Sequence, residues 1–246
     1  VPLCYGYFRS LNSAGLAKFH LLIEYCPGGD FHRVLKNTTF TPRQLRITMF
    51  QVLTAVRFLH GQSIIHRDVK THNFLISRYG RIQLSDFGLS FCYIKEGLRS
   101  TKLKKFVGTV VFCAPEQRAC LRNTDARDAP FVAADPRILS PLDDANTSSK
   151  PGGNSNSETN SSFYDWRADL FACGVVLFNG WCRGIPGLSP AEKSTFEKAM
   201  HMAKDEKTRR QLRLELVNLL DERQGSVKSI RRRVNQDYGD REQLLL

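Results

Sequence analysis

A lysine, an amide and two carboxylates occur in a spacing that could do chemistry. Asp68, Lys70 and Asn73 fall in one stretch, His66-Arg67-Asp68-Val69-Lys70-Thr71-His72-Asn73, and Asp86 opens a second, Asp86-Phe87-Gly88. Asp68 follows a strand-like apolar run and reads as an unpaired carboxylate, able to orient a hydroxyl and accept its proton. Lys70 can neutralise negative charge building on a transferred group. Asn73 and Asp86 are hard oxygen donors, of which magnesium takes a few and completes its shell with phosphate and water. Gly88 frees the backbone directly after Asp86. Taken one at a time, Asp68, Asp86 and Asn73 read equally well as turn or capping residues.

Their order adds what no single residue carries. The first stretch has the form H-R-D-x-K-x-x-N, the second is D-F-G, and Ala114-Pro115-Glu116 follows. In that order and at these separations the chain resembles the eukaryotic protein kinases, Ser/Thr branch. The resemblance implies ATP-dependent phosphoryl transfer to Ser or Thr hydroxyls of proteins. ATP and Mg2+ would be the cofactors, Asp68, Lys70, Asn73 and Thr109 the catalytic residues, and Asn73 and Asp86 the metal ligands. Thr109 can bridge Asp68 and Lys70 through its hydroxyl, and this, with Lys70 itself, points to the Ser/Thr branch. The same resemblance makes Glu24-Tyr25-Cys26 the hinge, with Ile23 guarding a back pocket. It assigns adenine to backbone groups of Glu24 and Cys26, the ribose to Asp30 and the floor under the base to Leu75. Pro27-Gly28-Gly29-Asp30 reads equally as a turn and helix cap. His66 and Phe87 would stack beneath the site with Leu3 above them. Asp169 would accept backbone N–H groups of the catalytic loop, and Glu116 would pair with a late arginine, for which Arg223 is the candidate. Residues 86–116 become the activation segment, where phosphate on Ser100 or Thr101, added by an upstream kinase, would pair with Arg67; a solvated basic loop is the other reading.

The elements that must position these groups can be read in part. Residues 1–7 and 20–25 alternate as strands. Thr41-Pro42-Arg43-Gln44 is a capping box that starts a long helix ending at Gly61. Short β-like runs follow at 63–65, 74–76 and 82–84. A helix over 167–181 is apolar around nearly its whole circumference and is expected to be buried on all sides. The fold class is α+β, a protein-kinase-like fold made mainly of the helical C-terminal lobe with a remnant of the N-lobe sheet. The divisions are 1–25 (strands and hinge), 26–120 (catalytic loop and activation segment), 121–163 (a low-complexity, disordered insertion), 164–232 (remaining helices) and 233–246 (a charged tail).

Composition bounds the rest. The 246 residues are 41% hydrophobic and 24% charged, with a net charge of +12, ordinary for a globular protein with a basic surface. No basic run is interleaved with aromatics, so nucleic acid is not an expected partner. No apolar run reaches membrane-spanning length. Seven cysteines, odd in number and without C-x-x-C, argue for reduced thiols in the cytoplasm or nucleus. The chain opens at Val1 inside an apolar alternation, without G-x-G-x-x-G before residue 23 and without V-A-x-K. A preceding segment holding those parts is expected, and residues 1–246 alone should transfer phosphate poorly or not at all. The alternative function is a non-catalytic scaffold or binding protein on a kinase lobe.

Overall fold

The computed structural model describes residues 1–13, 15–93, 102–123 and 162–224. Ser100, Thr101 and nearly all of the 121–163 segment lie outside them. Strands β1 (Cys4–Leu11) and β2 (Ala17–Ile23) pair antiparallel in a hairpin. Helix α1 (Phe31–Asn37) and the long helix α2 (Pro42–Gly61) follow. Next come β3 (Ile64–Ile65), a 3-10 turn (Thr71–Asn73), β4 (Phe74–Ile76), β5 (Ile82–Leu84) and β6 (Phe91–Cys92). Helices α3 (Pro115–Asn123), α4 (Arg167–Cys182), α5 (Pro190–Met202) and α6 (Glu206–Gln224) complete the order. The capping box at Thr41 is present in full: the Thr41 hydroxyl accepts from the Gln44 N–H, and the Gln44 side chain accepts from the Thr41 N–H.

Helices α2, α4 and α6 build the main core. Val52, Val56 and Leu59 of α2 meet Val176 of α4, Val217 and Leu220 of α6, and Phe74 and Leu84 of β4 and β5. A second cluster joins Ile65, Tyr93, Leu103, Cys120, Tyr164 and Ala168. There the chain re-enters at Tyr164 by exchanging two backbone hydrogen bonds with Leu103, both 2.8 Å.

Two packing expectations are corrected. Helix α4 is not buried all round, because Leu170 and Leu177 are 42% and 43% exposed and lie, with Gly174, on one open stripe. Apolar composition says that a helix can be buried, not that every face has a neighbour. Among the described residues nothing covers the Leu3 side chain: it is 62% exposed and touches the hinge through its backbone, its carbonyl accepting the Glu24 N–H. The β1–β2 hairpin is a two-stranded ribbon whose successive side chains point to opposite faces. Both faces are open among the described residues, as Leu21 (72%) and Leu22 (57%) show.

The late arginine also differs. Arg223 pairs with Glu192 at 2.8 Å rather than with Glu116, which is exposed. Hydrogen bonds from Ser189, then the Arg223 guanidinium, hold the Glu192 carboxyl down at about 2. Helix α3 is fastened to α6 with the charges reversed. Arg118, fully buried, donates to Asp221 (2.9 Å), the Cys113 carbonyl (2.9 Å) and Gln224 (3.0 Å). Removing one member of a buried, hydrogen-bonded pair strands the others. Arg118→Ala is therefore expected to cost about 3 kcal/mol, read as a lowered urea midpoint. Thr41→Ala should cost about 1 kcal/mol through loss of the helix cap.

Candidate active site

The residues between β3 and the 3-10 turn form a loop whose backbone is held in an uncommon conformation. Arg67 sits at φ 68, a left-handed geometry that costs a non-glycine residue energy. Asp169, at the start of α4 and 1% exposed, is the group that holds it. Its Oδ2 accepts from the His66 N–H (2.9 Å) and its Oδ1 from the Arg67 N–H (2.9 Å). His60, in the last turn of α2, lies 2.8 Å from the same carboxylate. The Arg67 side chain donates to the Leu89 carbonyl at 2.5 Å and lies over the Phe91 ring. His66 carries its proton on Nε2, since that atom faces the Ser85 carbonyl (3.0 Å), which can only accept, while Nδ1 accepts from the Asp68 N–H (3.3 Å). Its ring meets Phe87 edge-on at 5.4 Å.

Asp68 is not an unpaired carboxylate. Lys70 Nζ lies 2.6 Å from Oδ2, the Thr109 hydroxyl donates to Oδ1 at 2.8 Å, and Lys70 also donates to that hydroxyl at 3.0 Å. Asn73 Nδ2 donates to the Asp68 carbonyl (2.8 Å) and, more weakly, to Oδ2 (3.3 Å). The amide nitrogen is thus engaged with Asp68, which reserves the amide oxygen as an acceptor.

Strand pairing sets Ser85, the residue before Asp86, against Asn73. In the β4–β5 register Phe74 faces Leu84, so the residues just outside the ladder, Asn73 and Ser85, meet. Both the N–H and the hydroxyl of Ser85 donate to the Asn73 carbonyl at 2.8 Å. Asp86 follows directly, exposed and at φ 61, its Oδ1 accepting only a long bond from the Gly88 N–H (3.4 Å). An amide oxygen and an exposed carboxylate, both hard donors, suit magnesium.

Gly108 brings in Thr109. At φ +100, a Cβ built on Gly108 would stand 2.5 Å from the Arg67 carbonyl, so only glycine lets the segment cross the catalytic loop. Gln117 fastens the crossing, donating to the carbonyls of Arg67 (3.1 Å) and Val107 (2.8 Å).

The hinge residues are tied to β5 by a side chain that sequence reasoning passed over. Gln83 donates to Glu24 Oε2 (3.2 Å) and accepts from Cys26 Sγ (3.2 Å). Gly28 donates its N–H to the Ile76 carbonyl at 3.0 Å, and a Cβ there would meet Ile76 at 2.7 Å. Asp30 caps α1, its carboxylate accepting from the Arg33 N–H (2.8 Å), and it bridges to Leu75 by backbone. Arg67 is the sole residue of the expected phosphate site within the described residues, since Ser100 and Thr101 are not. His60, Gln83, Gln117 and Arg118 were missed because their partners are distant in the chain.

The geometry brings Asp68, Lys70, Asn73 and Thr109 together on a helical lobe. The family model for the protein kinase domain matches residues 4–128, and the chain belongs to the protein kinase family. It is 42% identical over 98 residues to a probable myosin light chain kinase of Dictyostelium discoideum, covering 39% of this chain and 20% of that protein. It is 37% identical over 116 residues to serine/threonine-protein kinase 10 of Mus musculus (46% of this chain, 11% of that protein). It is 39% identical over 122 residues to serine/threonine-protein kinase ppk11 of Schizosaccharomyces pombe (45% of this chain, 38% of that protein). The chain thus spans well under half the length of these curated relatives.

Asp169→Ala would leave the His66 and Arg67 N–H groups without their acceptor beneath a strained turn. The expected cost is about 3 kcal/mol, with faster amide exchange at both residues. Asp169→Asn, keeping one acceptor, should lose less.

Proposed function

We propose that this chain is part of an ATP-dependent protein kinase that phosphorylates Ser and Thr hydroxyls. The observation that carries the reading is the closed triangle of Asp68, Lys70 and Thr109, with Asn73 anchored to Asp68. In the reaction the incoming hydroxyl takes the place of the Thr109 hydroxyl on Asp68 Oδ1. Its oxygen forms the new bond to the γ-phosphorus, the bond from that phosphorus to the leaving diphosphate oxygen breaks, and the proton passes to Asp68. Lys70, already beside the acceptor, faces the charge of the transferring group. Asn73 and Asp86 would hold magnesium, which would neutralise phosphate charge when bound. Glu24 and Cys26 would present backbone groups to adenine above Leu75.

Asp30 caps α1 through Oδ1, and its second carboxylate oxygen would meet the ribose. Phosphate on Ser100 or Thr101 would draw Arg67 from the Leu89 carbonyl and strengthen its hold on the segment. The odd number of cysteines and the lack of a C-x-x-C pair support a reducing compartment, cytoplasm or nucleus; burial pushes the Cys120 thiol up to about 11 and Cys173 to about 12. No helix among the described residues is long and apolar enough to cross a membrane.

The test is phosphate transfer from γ-labelled ATP to a Ser/Thr peptide by the gene's complete product. Asp68→Asn should lower turnover about 10²–10⁴-fold, with peptide binding kept. Residues 1–246 alone should transfer little, for want of the phosphate-gripping lysine. Unchanged turnover in Asp68→Asn would sink the reading.

A further inference from the structure

The face of α2 turned away from the core carries a regular pattern that packing within the chain leaves unused. Leu45, Met49, Val52, Val56 and Leu59 are buried. Further around the helix, Arg43, Arg46, Ile47, Phe50, Leu53 and Arg57 are all exposed, Phe50 by 72%. Positions 43, 46, 50, 53 and 57 recur at alternating steps of three and four, so they form one seam along the helix, with Ile47 beside it. Apolar side chains hold the middle of the seam and arginines hold both ends. Arg43 and Arg57 stand about 21 Å apart along the helix axis.

Among the described residues, Ile47, Phe50 and Leu53 belong to neither packed cluster, and Arg43, Arg46 and Arg57 have no ion pair. Helix α2 contains no Asp or Glu. The chemistry that a partner must bring is thereby set: apolar groups for the middle and carboxylates for both ends. A second copy of the chain does not supply it. Antiparallel pairing of two such seams sets Arg43 against Arg57, and parallel pairing sets each arginine against itself. An anionic lipid surface fits poorly as well. On a helix that lies in a membrane interface the cations flank the apolar stripe, whereas Arg43 and Arg57 share one line with Phe50 and would enter the acyl layer with it. Because the opposite face is buried, a partner can lie along the seam but cannot encircle the helix.

We propose that the outer face of α2 is a docking surface for one amphipathic helix of a partner protein, with apolar residues in the middle of its own seam and acidic residues about two turns to either side. Phe50 is the central anchor, and the arginines form the charge pairs at the rim that set the partner's register. None of these six residues belongs to the candidate active site, so the surface stands or falls apart from phosphoryl transfer.

The experiment titrates the 246-residue chain against labelled synthetic helical peptides of about 18 residues, long enough to span the seam, with binding read by fluorescence anisotropy. One peptide has leucines along the middle of its seam and glutamates at both ends. A second replaces the glutamates by lysines, and a third replaces the leucines by serines. The glutamate–leucine peptide should bind about tenfold or more tightly than either control, and its association should slow as salt is raised. Phe50→Ala should weaken it about tenfold with the urea midpoint unchanged, as expected of an exposed side chain. Arg43→Glu combined with Arg57→Glu should turn the preference to the lysine peptide. Equal binding of the lysine and glutamate peptides, or no binding, would overturn the proposal. So would a lowered urea midpoint in Phe50→Ala, which would mean that the chain itself covers this face. A dimer of the chain that Phe50→Ala dissolves would assign the face to a second copy. Phe50-dependent binding to vesicles of phosphatidylcholine and phosphatidylserine, with no preference among the peptides, would assign it to lipid; either result sinks the helix partner.

Discussion

The Asp169 carboxylate, taken from α4 and inserted under the backbone of His66 and Arg67, is the contact on which the rest of the site depends. Arg67 at φ 68 turns the chain so that two successive N–H groups converge on one acceptor, the geometry in which backbone amides cradle an anion. The strained residue costs about 1–3 kcal/mol. Hydrogen bonds to a charged acceptor return about 1.5–3 kcal/mol each, so two of them outweigh the strain, and His60 adds a third partner. Without this anchor, Asp68, which follows Arg67 directly, would have no defined direction relative to the helical core.

From that anchor the other groups follow by short, independent connections. The β4–β5 register sets Asn73 against Ser85, the residue directly before Asp86. Gly108 lets the later segment cross over the Arg67 carbonyl and deliver Thr109 to Asp68. Gln117 clamps that crossing from α3, and buried Arg118, one residue on, fastens α3 to Asp221 and Gln224 of α6. The Asp68 carboxylate is therefore positioned through three sets of contacts: α4, the β4–β5 hairpin, and the α3–α6 pair through the crossing. In this state Asp68 is fully occupied by Lys70, Thr109 and Asn73, a preorganised arrangement in which one partner, a hydroxyl, has the same chemistry as the acceptor it would yield to.

What could be read from the sequence was what spacing alone encodes. The capping box at Thr41, the glycine end of α2, the short strands and the order of the three motifs are local patterns, and the candidates Asp68, Lys70, Asn73 and Thr109 come from the resemblance that this order carries. The failures share one cause. Asp68 looked unpaired because an ion pair two residues long is invisible without backbone geometry. Helix α4 looked buried all round because composition records what a face tolerates, not what covers it. Arg223 was matched to Glu116 on an expected polarity, whereas the actual link between α3 and α6 runs the other way, from Arg118 to Asp221. His60, Gln83 and Gln117 carry no sequence signal, since each acts only through a partner that folding brings near. Leu3 was assigned a stacking role that needs a covered sheet face, and the β1–β2 ribbon offers none among the described residues.

The electrostatics around the loop divide into two regions with different logic. At Asp68 each charge has a close partner, so the site is nearly neutral and held by directed hydrogen bonds. On the other side of Lys70, Lys193 has Glu197 at 3.7 Å, and the stacked rings of His32 and His72, both pushed toward the neutral form chiefly by burial, lie beside it. The two regions are not independent, because His72 lies in the same 3-10 turn as Asn73, and its ring is braced by His32 on α1.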